Sequence, residues 1–263
     1  MADEALWSGS MPQEYDAGLG EVKFRPCARS TAQRVAGLLP GGGRVLEVAA
    51  GTGLVTAELV ALPGVEVTAT DLNPAMVEHG RRQVPGARWR QADAMALPET
   101  DGAYDAVVCQ FGVMFFPDRV AALAEVRRVL RPGGVAVVTS WDAVEHDEVT
   151  YALVQALAEV LPDDPPTFPV RIPHGYCDPV RFTADLEAAG LQDVQLRTVE
   201  TTGTAPDAAT VVRGFLAGTP LGAEVSGRVD VEALLGPMTR RLGEGPVTGR
   251  LRFLEAVAVR PPG

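Results

Sequence analysis

Two glycines and three carboxylates are spaced along the first hundred residues in a pattern that suits a small polar ligand. Gly51 and Gly53 stand in the stretch LEVAAGTGLVTAELV, where a β-branched apolar run meets a glycine turn and then a helical pattern. Glu47 lies four residues before Gly51, Asp71 follows twenty residues after it, and Asp93 comes later in QADAMALP. A turn of this kind brings a ligand against bare backbone at a helix N-terminus.

The glycine turn alone leaves several ligands open. A nucleoside triphosphatase loop requires Gly-x-x-x-x-Gly-Lys-Ser/Thr, and no lysine follows here, so that class is excluded. A dinucleotide loop requires Gly-x-Gly-x-x-Gly, but Thr56 stands where the third glycine belongs. The dinucleotide site is thereby weakened, and a plain strand-to-helix turn without any ligand remains possible.

The three carboxylates separate these alternatives. Glu47, at the end of the first strand, would repel a pyrophosphate and favour an ammonium group. Asp71 follows the second strand, where a carboxylate accepts hydrogen bonds from both hydroxyls of a ribose. Asp93 and Ala94 can read the exocyclic amine and a ring nitrogen of adenine. Ammonium, ribose and adenine together describe S-adenosylmethionine.

The elements around these residues predict a parallel sheet. Between residues 24 and 141 the chain alternates helical and strand patterns, and such alternation favours an α/β fold. The predicted strands are 44–48, 65–70, 87–91, 104–109 and 135–141, and the predicted helices are 24–39, 53–61, 73–83 and 118–130. Ligands of such sheets bind at the carboxyl ends of the strands, where Gly51 and Gly53 lie.

The pattern changes after Trp141. Helices are predicted at 149–161 and 178–189, and strands at 194–199 and 250–260. Residues 207–244 are predicted to be helical in pieces that end at Gly218, Pro220 and Gly236-Pro237.

Composition excludes some partners and favours others. The 263-residue chain carries a net charge of −11 and has no basic stripe, which argues against a nucleic-acid partner and against an anionic membrane surface. It has no apolar run long enough for a membrane span and no signal-peptide pattern. Three widely separated cysteines favour the cytoplasm. The one lysine, Lys23, beside 22 arginines fits a GC-rich genome.

Five segments resemble the successive motifs of class I S-adenosylmethionine-dependent methyltransferases. They are LEVAAGTG, TDLNPAMVE, QADAMALP, YDAVVCQFGVMFFPD and RVLRPGGVAVVTSW. The resemblance is greatest to the small-molecule branch similar to the ubiquinone and menaquinone C-methyltransferases. It implies a Rossmann-like, mostly parallel seven-stranded sheet of order 3-2-1-4-5-7-6, with an antiparallel seventh strand and helices on both faces.

The same resemblance implies a domain organisation. We expect a single domain in which residues 1–23 form an N-terminal cap and 24–142 with 190–263 form the methyltransferase core. Residues 143–189 and 207–244 are then insertions, helical and lid-like, on the substrate side.

The resemblance also assigns roles to individual residues. Tyr15 would close over the cofactor, Leu72 and Met76 would flank the adenine, and Gln110 and Phe111 would lie near the reacting sulfur. The predicted cofactor-binding set is Tyr15, Glu47, Ala49, Gly51, Gly53, Asp71, Leu72, Met76, Asp93, Ala94, Gln110 and Phe111.

Acceptor-side residues are harder to identify, because an activated methyl donor needs alignment more than a strong base. His174, Tyr176 and His146 are the candidates for the acceptor pocket, whereas His79 is predicted to lie in solvent on the outer side of a helix. No metal site is predicted, since Asp142 alone does not supply the necessary ligands.

The sequence thus predicts a methyltransferase that moves a methyl group from S-adenosylmethionine to a small-molecule acceptor, leaving S-adenosylhomocysteine. A monomer or homodimer is expected. A protein that binds the cofactor for cyclisation, decarboxylation or sensing stays open, because the binding residues would be the same. A nicotinamide oxidoreductase is disfavoured by Glu47 and by the missing third glycine.

Overall fold

The computed structural model describes residues 11–262, and its centre is one sheet of seven strands. The strands are β1 (Gly43–Val48), β2 (Val65–Asp71), β3 (Arg88–Gln91), β4 (Tyr104–Gln110), β5 (Leu130–Trp141), β6 (Gln192–Ala205) and β7 (Val247–Val259). Their order across the sheet is β3-β2-β1-β4-β5-β7-β6. The first five strands run parallel, whereas β7 pairs antiparallel with both β5 and β6. The predicted strand order and the antiparallel seventh strand are confirmed.

Helices cover both faces of this sheet. The longer ones are α1 (Met11–Leu19), α2 (Arg25–Leu38), α3 (Leu54–Val60), α4 (Pro74–Gln83), α5 (Arg119–Val129), α6 (Glu148–Val160), α8 (Pro179–Ala188), α9 (Ala208–Gly218) and α11 (Val231–Leu242); α7 (Phe168–Arg171) and α10 (Leu221–Glu224) are single turns. Apolar residues of α2 and α3 pack on one face of the central strands. Those of α5 and α8 pack on the other face. None of the helices within residues 11–262 combines the length and apolarity that a membrane crossing requires.

A separate group of helices lies over the carboxyl edge of the sheet. Helices α1, α6, α9 and α11 share their own apolar core, which includes Leu19, Leu153, Val212 and Met238. Helices α1 and α9 are in backbone contact at Gly18 and Gly214. Glycine is required there, since a Cβ on Gly18 would lie only 2.2 Å from the Gly214 Cα. We call these four helices the helical roof. It encloses the space in front of the strand ends.

The largest difference from the predicted elements is in the N-terminal segment. The first predicted helix begins at residue 24, but the chain is helical from Met11 and passes through a π-helical turn, Gly20–Phe24, before α2 begins. The π turn keeps Val22 and Lys23 buried against the roof and the sheet. Tertiary packing, which has no local signal, therefore decides the conformation of this segment.

The break predicted at Pro237 is wrong, whereas those at Gly218 and Pro220 are confirmed. Helix α11 continues through Pro237 because Leu234 and Met238 on either side of it are buried in the roof core. A proline inside a helix costs a backbone hydrogen bond and some strain, and the apolar contacts of these neighbours offset that cost.

Candidate active site

A cavity of about 720 Å³ lies between the carboxyl ends of the parallel strands and the helical roof. Its volume falls within the range of about 300–1,000 Å³ that small-molecule sites occupy. One part lies against the turn between β1 and α3 and is called the loop end, defined by Glu47, Gly51, Asp71 and Asp93. It continues towards β5 and α9 into the aromatic end, described below.

The turn at the loop end holds two glycines in different roles. Gly51 has φ +55°, and nothing lies within 4 Å of where its Cβ would be, so its backbone opens onto the cavity. Gly53 does not line the cavity, contrary to the prediction. Its N–H donates to the Ala50 carbonyl at 3.0 Å, and a Cβ would press on Trp89 at 3.0 Å. Gly53 therefore lets α3 begin and pack, while Gly51 and Ala49 face the space for a ligand.

Asp71 is fixed at the end of β2 by two backbone donors. Its Oδ2 accepts from the Gly51 N–H at 2.8 Å, and its Oδ1 accepts from the Asn73 N–H at 2.9 Å. Burial raises the pKa of Asp71, although both bonds oppose that shift. The carboxylate is thus oriented before any ligand arrives, which reduces the cost of binding two hydroxyls.

Glu47 is a buried carboxyl group at the end of β1. Only 2% of it is exposed, and its Oε2 accepts from the Thr56 hydroxyl at 2.6 Å. Burial raises its pKa to about 8 despite that hydrogen bond. At neutral pH the side chain is therefore largely protonated, and a cationic group in the cavity would favour its ionised form.

The far side of the loop end is formed by residues that follow β2 and β3. Leu72, Met76, Asp93 and Ala94 all line the cavity there, as the sequence places them. The Asp93 Oδ1 accepts from the Met95 N–H at 2.9 Å, which orients the carboxyl group at the beginning of a tight turn.

The aromatic end begins at the last residues of β4. Gln110 and Phe111 line the cavity, and the Gln110 Oε1 accepts from the Thr31 hydroxyl at 2.7 Å. Phe111 has φ +55°, an uncommon conformation for a bulky residue. This backbone conformation places its ring flat on Trp141, with centroids 3.8 Å apart and planes 9° apart.

Other aromatic rings complete the wall of this end. Phe24 meets Phe111 and Trp141 edge-on, with centroids 6.2 and 6.0 Å apart, and Tyr15 stacks on Phe24 at 4.5 Å. The aromatic end is defined by Tyr15, Phe24, Phe111, Phe116, Trp141, Phe168 and Phe215, together with Lys23 and His174. Its surface is suited to a flat, apolar molecule.

Tyr15 is held there because helix α1 is tied to the loop end. Asp16 accepts a hydrogen bond from the Thr52 hydroxyl and lies 3.0 Å from His79 Nε2. The prediction that His79 is solvated is wrong, since only 5% of it is exposed. Burial raises the pKa of Tyr15 well above its ordinary value, so its hydroxyl stays protonated.

Lys23 is the charged group of the aromatic end. Its ammonium donates to the Asp147 carboxylate and the Thr150 hydroxyl, and lies 4.4 Å from the centroid of the Trp141 ring. Lys23 is 3% exposed and Asp147 is fully buried. Burial alone would raise the pKa of Asp147, but Lys23 and His174 lower it below its usual value.

His174 lies beside this ion pair. Its Nδ1 is 2.7 Å from the Asp142 carbonyl, which can only accept, so Nδ1 carries a hydrogen. Its Nε2 is buried without a hydrogen-bond partner, 3.6 Å from the Asp147 carboxylate. Burial lowers the pKa of His174 to about 4, and the neutral ring therefore presents an unused lone pair to Asp147.

Known methyltransferases are similar to this chain in part of the sequence and in the fold. Residues 45–134 match a family model described as a methyltransferase domain. A demethylmenaquinone methyltransferase of Beutenbergia cavernae is 44% identical over 100 residues, which are 38% of this chain and 41% of that relative. The chain thus spans less than half the length of this curated relative.

Two solved structures share the fold at low identity. The phosphoethanolamine N-methyltransferase 2 of Haemonchus contortus, solved with S-adenosyl-L-methionine, superposes with a TM-score of 0.59 at 14% identity. That match covers 95% of this chain and 56% of the other. The cyclase SpnF superposes with a TM-score of 0.57 at 20% identity. That match covers 89% of this chain and 81% of the SpnF chain.

The matched segment and the strand order agree with each other. Residues 45–134 are similar to a methyltransferase domain, and the seven-stranded sheet has the order of the class I methyltransferase fold. Most residues of the aromatic end lie outside the matched segment, and only Phe111 and Phe116 lie within it.

Two of the three predicted acceptor residues lie away from the cavity. Tyr176 does not line the cavity: its hydroxyl donates to the Asp185 carboxylate at 2.7 Å and its ring packs beside Phe182 in the core. His146 lies exposed in a short 3₁₀ turn (Val144–His146) and also does not line the cavity. Of the three candidates, only His174 lines it.

Sequence reasoning missed Lys23, Trp141 and Asp147 as parts of this candidate site. Lys23 had a usable signal, because it is the only lysine beside 22 arginines. The signal for Asp147 was weaker, because an Asp before a helix is usually an N-cap. Asp147 does cap α6, where it accepts from the Thr150 N–H at 2.9 Å. Among residues 11–262, no cluster of three or more His, Cys, Asp or Glu is placed to hold a metal ion.

Proposed function

We propose that this protein transfers a methyl group from S-adenosylmethionine to a small, flat, largely apolar molecule. The observation that carries the proposal is the continuity of one cavity, which joins the oriented carboxyl groups of the loop end to the aromatic end. A cofactor in the first part would thus lie next to an acceptor in the second.

The residues of the loop end fit the proposed cofactor. The open space over Gly51 is what a ligand lying on that backbone requires. Asp71 would accept from the ribose hydroxyls, Glu47 would face the ammonium group, and Asp93 with Ala94 would hold the adenine between Leu72 and Met76. When bound, S-adenosylmethionine supplies an activated methyl group.

The aromatic end would act by positioning the acceptor and excluding water. The stacked rings of Phe111 and Trp141 offer a flat surface, and Tyr15 on α1 covers the junction of the two ends. Alignment of two reactants in a water-poor space supplies a large part of the acceleration of such a transfer. The small-molecule branch suggested by the menaquinone relative is consistent with this chemistry.

The first test is calorimetric titration with S-adenosylmethionine, S-adenosylhomocysteine and NAD in parallel. Binding of the first two and silence of NAD is the expected result. Binding of NAD alone would overturn the proposal. Small aromatic acceptors would then be screened by mass spectrometry for the mass increase of one methyl group.

A second candidate function is binding of S-adenosylmethionine without methyl transfer. It is suggested by the likeness in fold to a cyclase. A protein that binds S-adenosylmethionine without consuming it would show tight binding in the titration and no formation of S-adenosylhomocysteine with any acceptor that binds. Formation of S-adenosylhomocysteine in stoichiometric amounts with methylated product would exclude it.

The setting of the reaction is part of the same proposal. We expect the protein to act in the cytoplasm, as a monomer or homodimer, on a metabolite of specialised or quinone-like metabolism. The expectation of a cytoplasmic location comes from the sequence, whose three cysteines are widely separated.

A further inference from the structure

The buried charges of the aromatic end point to a particular kind of acceptor. Lys23, Asp147 and His174 come from the N-terminal π turn, the start of α6 and the segment after α7. In the ligand-free protein, the ammonium and the carboxylate cancel, and the neutral imidazole leaves the group without net charge. Lys23 and His174 line the cavity, while Asp147 lies behind them.

Lys23 can bind an oxygen of the acceptor. An ammonium has three N–H donors, and two of them are used by Asp147 and Thr150. The third can bind an oxyanion at the edge of a flat molecule held in the aromatic end. A cationic acceptor would be repelled by the same ammonium.

An oxyanion at Lys23 would unbalance the charges unless a proton were added. Two negative groups would then share one ammonium in a space that excludes water, and such burial is costly. His174 Nε2 is unpartnered and 3.6 Å from Asp147, so a proton on it would form a second ion pair with that carboxylate. Neutrality would be restored within the group.

We propose that the aromatic end binds an acceptor as an oxyanion seated on Lys23, and that His174 takes up the balancing proton. This inference rests on the proposed function, because only that function makes the bound anion a methyl acceptor. The binding test itself does not require methyl transfer. The proton bound to His174 comes from solvent when the acceptor enters as an anion. It comes from the acceptor itself when a neutral hydroxyl compound ionises on binding.

The groups that face His174 determine the sign of the pH dependence. They are Lys23, Asp147 and Asp142, and the Asp142 carboxylate is paired with Arg252 at 2.6 Å. Because burial keeps the pKa of His174 near about 4 in the ligand-free protein, an anion that raises it must bind with uptake of a proton. Affinity then falls as pH rises, until the pKa of His174 in the complex is passed.

Benzoate and benzamide are matched probes for this test. Their shapes are alike, but only benzoate is an anion above about pH 5.5. Binding is measured by calorimetry between pH 5.5 and 8, with the protein saturated with S-adenosylhomocysteine and again without it. We expect benzoate affinity to fall by up to about tenfold per pH unit, as uptake of one proton requires, and benzamide to bind weakly without pH dependence.

His174→Gln removes the group that takes up the proton, and His146→Gln is its matched control on the surface. The first variant should lose the pH dependence of benzoate binding, and the second should keep it. Should His174→Gln not fold, nitrogen NMR of the histidine rings in the wild-type protein gives the same information. The expected result is that benzoate converts His174 to its doubly protonated form.

A third probe, 4-nitrophenol, separates the two sources of an oxyanion. It should enter neutral, become a phenolate detectable by its absorption, and bind without net proton uptake from the buffer. Binding of benzoate alone would identify carboxylates, and binding of 4-nitrophenolate alone would identify ionised hydroxyls.

Equal affinity for benzoate and benzamide, benzoate binding that is independent of pH, or binding of neither anion would overturn the proposal. Failure of S-adenosylmethionine to bind would overturn the proposed function instead. Because the probes are also measured without cofactor, the two failures are distinguishable.

Discussion

The two ends of the cavity are built in different ways. Glu47, Gly51 and Asp71 of the loop end lie close together in the chain, on two adjacent parallel strands and the turn that follows the first. Lys23 and His174 of the aromatic end are far apart in the chain and meet through Asp147. Local backbone geometry therefore determines the first end, and long-range packing of the roof determines the second.

This difference means that the two ends should fail separately. Changes at the loop end should affect ligand affinity more than folding, since Asp71 is held by backbone donors and Glu47 by Thr56, all nearby in the chain. Changes in the buried ion pair of the aromatic end should affect folding, since that pair connects distant segments. Four substitutions test this contrast.

Lys23→Met has the largest expected effect. It leaves the fully buried Asp147 without its ammonium, and loss of one partner of a buried ion pair costs about 3–5 kcal/mol. Urea denaturation should show this decrease in the free energy of unfolding. The control is Arg25→Gln, which removes an ion pair with the exposed Glu21 and should cost less than about 1 kcal/mol. Equal losses would contradict the contrast between the two ends.

Glu47→Gln comes next and should have opposite effects on binding and on stability. At pH 9 Glu47 is ionised, and loss of a charged partner for the ligand ammonium should weaken S-adenosylhomocysteine binding by about 10- to 100-fold, or about 1.5–3 kcal/mol. Because folding raises the pKa of Glu47 to about 8, the carboxyl group stabilises least at high pH, and stability is lost as pH rises from about 4.5 to 8. Glu47→Gln should therefore unfold at a higher temperature than wild type at pH 9.

The pH dependence of affinity gives a control for Glu47. Since a cationic ligand group lowers the pKa of Glu47, S-adenosylhomocysteine should bind more tightly as pH rises towards about 8. Methylthioadenosine has the same nucleoside but no ammonium, and its affinity should not vary in this range. Parallel pH profiles for the two ligands would remove Glu47 from the ammonium site.

Asp71→Ala should weaken cofactor binding by about 1–3 kcal/mol, because the ribose hydroxyls lose a charged acceptor. Calorimetry with S-adenosylhomocysteine measures this loss, and thermal unfolding checks that the variant is folded. Benzoate binding at the aromatic end should be unchanged. Unaltered cofactor affinity in a folded Asp71→Ala protein would exclude Asp71 from the site.

Gly51→Ala has the smallest expected effect and a close control in Gly245→Ala. Both glycines have positive φ and open space at the Cβ position, so each substitution should cost about 1 kcal/mol of stability through backbone strain alone. Only Gly51 lines the cavity, and only its new methyl group should reduce S-adenosylhomocysteine affinity. Equal affinities in the two variants would mean that no ligand lies on this backbone.

The same contrast explains what could be predicted from the sequence. The strand order was implied by the resemblance to a known family, and it is confirmed. The positions of Glu47 and Asp71 follow from local patterns, because these indicate where parallel strands end. Gly53 shares its turn with Gly51, so the sequence predicts the same role for both, and the packing of Trp89 against Gly53 is what separates them. Periodicity identifies the apolar faces of α6 and α9, yet it does not tell which segment they cover.

His79 and Tyr176 show the same limit on individual side chains. A histidine on a helix looks solvated until α1 brings Asp16 over it, and a tyrosine beside His174 looks like part of the site until its ring turns to Phe182. Both outcomes depend on partners distant in sequence. The role of Lys23 depends in the same way on Asp147.

The backbone contact between α1 and α9 has a consequence for biosynthesis. Helix α1 leaves the ribosome early, but the surface on which Gly18 packs belongs to α9 and is made after most of the chain. Until then α1 has the contacts of Asp16 with the loop end, but it lacks the surface on which Gly18 packs. The nascent protein can therefore form its loop end during translation, while the aromatic end must be closed by the first helix returning to one of the last.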